Sequence, residues 1–229
     1  MSIASNLSDI RTRISRAAGT VSRDPSSIRL IAVSKTFPLD LVRQAYDAGQ
    51  REFGENRVQE GLQKIDGSAD LSIRWHLLGH LQTNKARKAA SAFAMIQSVD
   101  SVELLHKLDR GATEEGRTPE LLIQVDLGGE ATKFGSPPDE VPRLFEAADA
   151  CRTARVVGLM TLPPLPETPE DARRWFRQLR ELRDGWRASG VPAAMLRELS
   201  MGMSVDFEVA IQEGATIVRV GTAIFGRRT

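Results

Sequence analysis

Short apolar runs alternate with amphipathic stretches along almost the whole chain. Eight of these runs have the length and the aliphatic, β-branched composition of buried strands. We predict strands at residues 30–34, 52–54, 74–79, 94–99, 121–125, 156–160, 196–200 and 216–220. The stretches between them repeat apolar residues at helical spacing. The predicted helices are residues 3–18, ahead of the first strand, and then 39–48, 57–64, 83–91, 102–115, 140–150, 170–188 and 205–212.

Residues that favour helix ends mark several of these boundaries. Asp139 and Ser204 precede two of the predicted helices and carry the oxygen-bearing side chains of N-caps. Glycine readily adopts the conformation that follows a last helical turn. The glycines predicted to end helices are Gly49, Gly116, Gly190 and Gly214. The prolines of residues 163–169 block helix and ladder hydrogen bonds alike, so this segment is predicted to be a loop.

The alternation of strands and helices decides the expected fold class. Strands that alternate with helices favour βαβ units and a parallel sheet. Eight such units in about 200 residues fit a closed (β/α)8 TIM barrel at the small end of its size range. A doubly wound open sheet competes with it, but that fold more often has about five to seven strands. We therefore predict an α/β protein with one barrel domain over residues 1–229 and an extra N-terminal helix.

Composition narrows the class of protein without indicating a chemistry. Of 229 residues, 41% are hydrophobic, which excludes a disordered chain. The 31 Lys and Arg against 30 Asp and Glu give a net charge of +1, so no basic excess predicts a nucleic-acid partner. No apolar run approaches the roughly 18–20 residues of a membrane span. The single cysteine cannot form an internal disulfide, which fits a reducing cytoplasm.

In a TIM barrel, chemistry is concentrated at the C-terminal ends of the strands. Lys35 alone among the six lysines ends an apolar strand there, in AVSKT. The others fall on predicted helices, where a solvated amine is expected, or in a loop: Lys64, Lys85, Lys88, Lys107 and, in the loop, Lys133. A lysine that loses hydration gains nucleophilic character and can form a Schiff base with a carbonyl compound. The alternative is an ion-paired lysine at the barrel rim.

Two loops near the end of the chain resemble phosphate-binding loops of barrels. They follow the last two predicted strands and span residues 200–204 (SMGMS) and 221–226 (GTAIFG). Each offers a glycine that lets the backbone approach an anion, and nearby hydroxyl groups. Ordinary turn chemistry is the alternative. Arg219 lies within an apolar strand, where a guanidinium must be paired, either with a carboxylate or with a ligand atom.

The spacing of His76 and His80 does not indicate a metal site, and the single cysteine does not indicate a nucleophile. His76 and His80 have an H-x-x-x-H spacing but fall in a strand and the following loop, so their rings are not expected to share a face. A metal site is therefore not predicted. Cys151 has no histidine beside it in the sequence and is interpreted as a packing residue.

Six segments of this chain, taken together, resemble one family. They are AVSKT, FGENRVQE, WHLLGHLQTNK, GLMTLPP, LSMGMSVDFEVAIQEG and VRVGTAIFG, in that order from about residue 30 to residue 226. The chain is similar to the pyridoxal-phosphate homeostasis protein family, whose members look like the barrel domain of alanine racemase standing alone. The resemblance implies a fold-type III barrel that holds pyridoxal 5′-phosphate (PLP).

The resemblance also implies the site residues. Lys35 would form the internal aldimine with PLP, and Arg219 would face its pyridine nitrogen. The other residues would bind the phosphate or line the pocket. The phosphate-binding residues are Ser200, Gly221 and Thr222, and the pocket residues are Asn56, His80 and Met160.

Three functions stay open at this point. In the first, the protein binds PLP reversibly, and the resemblance implies that it buffers PLP and delivers it to PLP-dependent apo-enzymes, with no robust catalysis of its own. We expect this protein to be cytoplasmic, and to be a monomer because no large apolar stripe is left over once the strands and helices are counted. The second is a PLP-dependent amino-acid racemase, which needs a second base from a partner, because Tyr46, the only tyrosine, is predicted to pack on a helix. The third is a PLP-free enzyme that acts on a sugar phosphate through Lys35.

Overall fold

The backbone closes into a barrel of eight parallel strands in a computed structural model that describes residues 2–129 and 134–226. Each strand pairs with its neighbours in the chain, and the last pairs with the first, so the sheet is closed. The strands are β1 (Arg29–Val33), β2 (Glu52–Glu55), β3 (Arg74–Leu77), β4 (Met95–Val99), β5 (Glu120–Gln124), β6 (Arg155–Met160), β7 (Glu198–Ser200) and β8 (Ile217–Val220). The predicted (β/α)8 barrel is confirmed. Lys133 lies outside the described residues.

The helices surround the barrel and also agree with the predicted pattern. They are α1 (Ile3–Gly19), α2 (Leu39–Asp47), α3 (Val58–Gly67), α4 (Ala86–Ala92), α5 (Val102–Glu114), α6 (Val141–Asp149), α7 (Arg173–Ala188), α8 (Phe207–Gln212) and α9 (Thr222–Phe225). Only α9 was absent from the prediction, because four residues are too few to establish a helical period. Among the described helices, none is long and apolar enough to cross a bilayer.

At the helix ends, the predicted glycine stops are confirmed, whereas the predicted N-caps are wrong. All four predicted glycine stops have positive φ just beyond α2, α5, α7 and α8, as expected. Both predicted N-caps are wrong, since Glu140 and Asp206 occupy those positions. Asp139 lies in a turn in which the Glu140 N–H donates to the Pro137 carbonyl at 3.0 Å. The hydroxyl of Ser204 instead accepts hydrogen bonds beyond the end of β8.

Apolar side chains form two layers, one between the barrel and the helices and one inside the barrel. The interior layer consists of Ile31, Val33, Leu78, Met95, Leu122, Val157, Met160 and Ile217. Side chains alternate along a strand, so Val218 and Val220 face the helices while Ile217 faces inward. The same alternation turns Arg219 into the barrel.

The N-terminal ends of the strands carry a connected set of ion pairs. Arg74 lies 2.5 Å from Glu120 and 3.7 Å from Glu52. Arg197 lies 2.7 Å from Glu120 and 2.9 Å from Glu198. These pairs join β2, β3, β5 and β7 at the end of the barrel that usually contributes to stability rather than to chemistry.

Candidate functional site at the C-terminal end of the barrel

Lys35 lies in a tight turn directly after β1. Val33 is the last residue of that strand, and the Phe37 N–H donates to the Ser34 carbonyl at 3.0 Å, which closes the turn. The side chain of Lys35 is half-buried. The backbone thus brings a lysine to the end of the barrel where the sequence predicted it.

A second lysine near this turn is buried, contrary to prediction. A solvated amine was expected for Lys64, but its side chain is only 9% exposed and its Nζ lies 2.7 Å from Glu55 Oε1. Burial raises the pKa of Glu55, while the hydrogen bonds from Lys64 and Ser34 oppose that change. The prediction failed because Lys64 follows the buried Val58 and Gly61 at intervals of three residues, on the face of α3 that packs on the barrel.

The end of β8 lies directly beside the end of β1. A Cβ atom at Gly221 would lie 3.2 Å from the Val33 carbonyl oxygen, so glycine permits this close approach. The rings of Phe37 and Phe225 pack with centroids 5.2 Å apart, which joins the loop after Lys35 to α9. The turn that carries Lys35 and the glycine loop after β8 therefore meet at one corner of the barrel.

Backbone N–H groups at this corner point to a serine hydroxyl. Ser204 Oγ accepts hydrogen bonds from Gly221 N–H at 3.2 Å and from Ala223 N–H at 3.5 Å. Thr222, between these two donors, is the first residue of α9. Sequence reasoning had selected Ser200 for this role and interpreted Ser204 as a helix cap. The structure places Ser204 beside the amides, since the chain turns back between β7 and α8.

Arg219 extends into the barrel and is 4% exposed. Its Nη1 donates to Ser200 Oγ at 2.6 Å and its Nη2 donates to the Thr161 carbonyl at 2.9 Å. Burial lowers the pKa of Arg219 to about 10, so the guanidinium remains charged at neutral pH. These two hydrogen bonds use two of the five N–H groups of the guanidinium, so others can donate to a ligand.

A chain of polar side chains continues from Arg219 through the barrel. Ser200 Oγ donates to Gln97 Oε1 at 2.6 Å, and Gln97 Nε2 lies 3.3 Å from His76 Nδ1. His76 Nε2 contacts Glu52 Oε2 at the opposite end of the barrel. Complete burial lowers the pKa of His76, while the carboxylate of Glu52 opposes this. Sequence reasoning missed Gln97 and Glu52, although a glutamine inside the apolar run AMIQSV was a signal.

Two predicted pocket residues lie at the rim, above β2 and β3. Asn56 and His80 line a cavity of about 410 Å³. The ring of His80 stacks on Phe134, with centroids 3.6 Å apart and planes 9° apart, and its Nδ1 lies 3.3 Å from Asp100 Oδ2. Met160, the third predicted pocket residue, is fully buried in the apolar layer inside the barrel. The structure therefore distributes these three over the rim and the interior.

His76, His80 and Cys151 lie in different surroundings. His76 lies in β3 and points inward, while His80 lies in the following loop. No group of three or more His, Cys, Asp or Glu in the described part of the chain could hold a metal ion. Burial raises the pKa of Cys151 to about 11, and nearby Asp109 adds to this, so the thiol remains protonated.

Comparison with known proteins identifies the family. Residues 5–229 match the family described as alanine racemase, N-terminal domain. A pyridoxal phosphate homeostasis protein of Aquifex aeolicus is 43% identical over 228 residues, covering 100% of this chain and 99% of the relative. The chain belongs to the pyridoxal phosphate homeostasis protein family.

Solved structures agree with this assignment. The structure of PipY from Synechococcus elongatus with PLP bound has a TM-score of 0.84 and 43% identity, covering 98% of this chain and 100% of PipY. An alanine racemase of Clostridium difficile has a TM-score of 0.76 at 15% identity, and this likeness concerns the fold alone. The match with the racemase covers 99% of this chain and 57% of the racemase chain.

Proposed function

We propose that this protein binds PLP reversibly and keeps it available in the cell, with Lys35 as its point of covalent attachment. The observation that carries the proposal is the meeting of β1 and β8. The turn that carries Lys35 follows β1, the backbone amides of Gly221 and Ala223 follow β8, and the buried guanidinium of Arg219 lies within β8. In PLP, the amine of the lysine would meet the aldehyde, the amides the phosphate ester, and the guanidinium the pyridine nitrogen. The names of the relatives and the PLP-bound PipY structure support the same ligand.

The amide corner suits a phosphate group. The hydrogen bonds from Gly221 N–H and Ala223 N–H to Ser204 Oγ are long, at 3.2 and 3.5 Å, so both donors can also serve an anion. Backbone N–H groups at a helix start are common phosphate donors in barrels. Thr222 and Ser204 add hydroxyl groups. Ser200, in contrast, is proposed to act through Arg219, because its hydroxyl is already bonded within the barrel.

Lys35 supplies an amine that can bond to an aldehyde carbon. The neutral Nζ attacks the carbonyl carbon, a C=N bond forms, and the carbonyl oxygen leaves as water. Hydrolysis reverses the same step without any other reactant. Attachment through this bond makes the holding of PLP both specific and releasable, as a buffering role requires.

Arg219 favours the binding of PLP over catalysis that needs a strongly stabilised carbanion. Bound PLP supplies an electron sink whose strength depends on protonation of its ring nitrogen. A guanidinium that stays charged near that nitrogen disfavours its protonation. The sink is then weaker than with a carboxylate partner. Asn56, His80 and Met160 are proposed to complete the pocket wall.

Buffering and delivery form the finer part of the proposal. We propose that residues 1–229 act as a single domain and a monomer, in the cytoplasm, and that the protein passes PLP to PLP-dependent apo-enzymes. The family's printed name supports a homeostatic role. Mixing PLP-loaded protein with an apo-enzyme and measuring recovered activity tests delivery, provided that free PLP at the same concentration serves as reference.

Borohydride trapping tests the binding site. Purified protein mixed with PLP should develop visible absorption, and borohydride should fix the adduct on Lys35 in a peptide map. Lys35→Ala should abolish the adduct and retain weaker binding through the phosphate. Lys88→Ala, at an exposed helical lysine, is the matched control and should behave as wild type. An adduct on another lysine would refute the assignment, and no adduct at all would favour a PLP-free enzyme.

A proton-exchange assay separates this function from a racemase. A racemase needs an acid or base on each face of its substrate. Tyr46 is the only tyrosine, and its hydroxyl accepts from the Ser72 N–H at 3.3 Å while its ring packs against Arg51. PLP-loaded protein in deuterated water should therefore exchange the α-proton of amino acids only at background rates. Sustained exchange would favour the racemase.

A further inference from the structure

The turn that carries Lys35 contains a strained backbone residue. Thr36 follows Lys35 and has φ +67°, in the left-handed region that β-branched residues avoid. Such a conformation persists only where neighbouring contacts hold it. The contact here is a hydrogen bond from the Thr36 N–H to Glu60 Oε1 at 2.5 Å. The residue after Lys35 is thus tied to α3.

The residue before Lys35 is tied to the same helix. Lys64 Nζ donates to the Ser34 carbonyl at 2.8 Å, to Glu55 Oε1 at 2.7 Å and to Glu60 Oε1 at 2.9 Å. An ammonium group has three donors, and all three are used. Ser34 Oγ also donates to Glu55 Oε1 at 2.6 Å. We call Ser34, Glu55, Glu60 and Lys64 the α3 cluster.

The α3 cluster therefore holds Lys35 on both sides without being part of the binding site proposed above. Glu60 and Lys64 are one helical turn apart, and together they fix the backbone at Ser34 and Thr36. Fixing those two residues fixes the direction in which the Lys35 side chain leaves the backbone. Bond formation between two groups depends steeply on such orientation.

We propose that Lys64 and Glu60 are positioning residues that set the geometry of Lys35 for covalent attachment, and that they contribute little to non-covalent binding. The inference rests on the proposed function. The phosphate corner and Arg219 belong to β8, whereas the side chains of the α3 cluster bond to the turn after β1 and to the end of β2. Attachment and recognition are consequently supported by separate parts of the molecule.

Two ligands separate attachment from recognition. PLP reports the covalent step, through the rate of borohydride-trapped adduct at Lys35. 4′-Deoxypyridoxine 5′-phosphate has the same ring and phosphate but no aldehyde, so its Kd reports non-covalent binding. In Lys64→Met we expect the trapping rate to fall by roughly tenfold to hundredfold. The Kd of the analogue should change by less than about twofold.

Three further variants make the test independent of misfolding. Glu60→Gln keeps the shape of the helix and should lower the trapping rate in the same direction. Thr36→Gly in the Glu60→Gln background should restore much of that rate, because glycine adopts φ +67° without strain. Lys107→Met removes another i, i+4 lysine–glutamate pair, 2.8 Å long and exposed on α5, and should trap PLP as wild type does.

The outcomes are distinguishable. Trapping at the wild-type rate in both Lys64→Met and Glu60→Gln overturns the positioning role. Equal losses of adduct and of analogue binding also overturn it, since they indicate general damage to the site. If wild-type protein binds the analogue and traps no adduct, the proposed attachment at Lys35 fails, and the positioning role fails with it. A selective loss of trapping, rescued by Thr36→Gly, supports the inference.

Discussion

Lys35 and Arg219 lie on adjacent strands of the barrel but are supported in opposite ways. The α3 cluster beneath Lys35 is ionic, and its members lie within 31 residues of one another in the chain, from Ser34 to Lys64. The support of Arg219 is a largely uncharged chain of hydrogen bonds from β8 through β7 and β4 to β3. Its Ser200–Gln97 bond alone joins residues 103 positions apart.

The difference follows from the roles proposed for the two cations. A lysine that forms and breaks a bond needs a fixed backbone and a side chain that can move, so the contacts hold its neighbours in the sequence. An arginine that presents a permanent charge to a ring nitrogen needs a fixed head group, so the contacts hold the guanidinium itself. Charged groups hold the neighbours of Lys35, whereas the two groups that accept hydrogen bonds from Arg219, the Ser200 hydroxyl and the Thr161 carbonyl, are neutral. The guanidinium therefore keeps its charge without a directly bonded carboxylate.

Removal of Lys64 should have the largest effect on stability. Lys64→Met leaves two carboxylates of the α3 cluster without their cation, and breaking a buried pair in this way costs about 3–5 kcal/mol. Urea unfolding at pH 7.5 measures the free energy of unfolding. The control Lys107→Met should lose no more than about 0.5 kcal/mol, because its pair is exposed. A loss below about 1 kcal/mol in Lys64→Met would contradict a buried ionic support.

The pH dependence of the same variant sharpens this prediction. Burial raises the pKa of Glu55, and without Lys64 only the hydrogen bond from Ser34 opposes that rise. When the pKa of a carboxyl group is raised in the folded state, the free energy of unfolding decreases as pH rises through that pKa. The destabilisation of Lys64→Met should therefore be smaller at pH 6 than at pH 8.

Interruption of the chain beneath Arg219 should have an intermediate effect. Gln97→Leu leaves the Ser200 O–H without an acceptor and Nδ1 of His76 without a hydrogen-bond partner, at a cost of about 1–3 kcal/mol. It should also weaken binding of 4′-deoxypyridoxine 5′-phosphate, because Arg219 is held less firmly. Lys64→Met, in contrast, should leave binding of this analogue almost unchanged. Gln63→Leu, an exposed glutamine on α3, is the control, and an equal response of the two variants would contradict the distinction.

The smallest effect on stability should come from protonation of His76, in the hydrogen-bond chain that supports Arg219. Burial lowers the pKa of His76 below its ordinary value of 6.5, so the unfolded state binds a proton first as pH falls. Stability should decrease below about pH 6.5, by at most about 1.4 kcal/mol per pH unit. Urea unfolding at pH 7.5 and 5.5 measures the change, and His76→Gln should remove most of it. If the free energy of unfolding falls with pH in His76→Gln as steeply as in the wild type, a group other than His76 causes the acid sensitivity.

Much of this protein follows from local sequence patterns. Apolar runs of strand length, the glycine stops and the alternation of elements determine the closed barrel, because each depends on neighbours in the chain. The position of Lys35 at a strand end follows in the same way. The inward direction of Arg219 follows from the alternation of side chains along β8. The six segments in their order were sufficient to indicate the family.

Only the tertiary structure decided which partners these residues have. Ser200 and Ser204 are equivalent in the sequence, yet the turn between β7 and α8 sends one hydroxyl to Arg219 and the other to the amides beyond β8. Lys64 resembles any surface lysine until the packed face of α3 is known. The bonds of Gln97 to His76 and Ser200 cross the barrel. A sequence pattern specifies direction along one element, whereas a hydrogen bond between distant residues depends on how the elements close around the core.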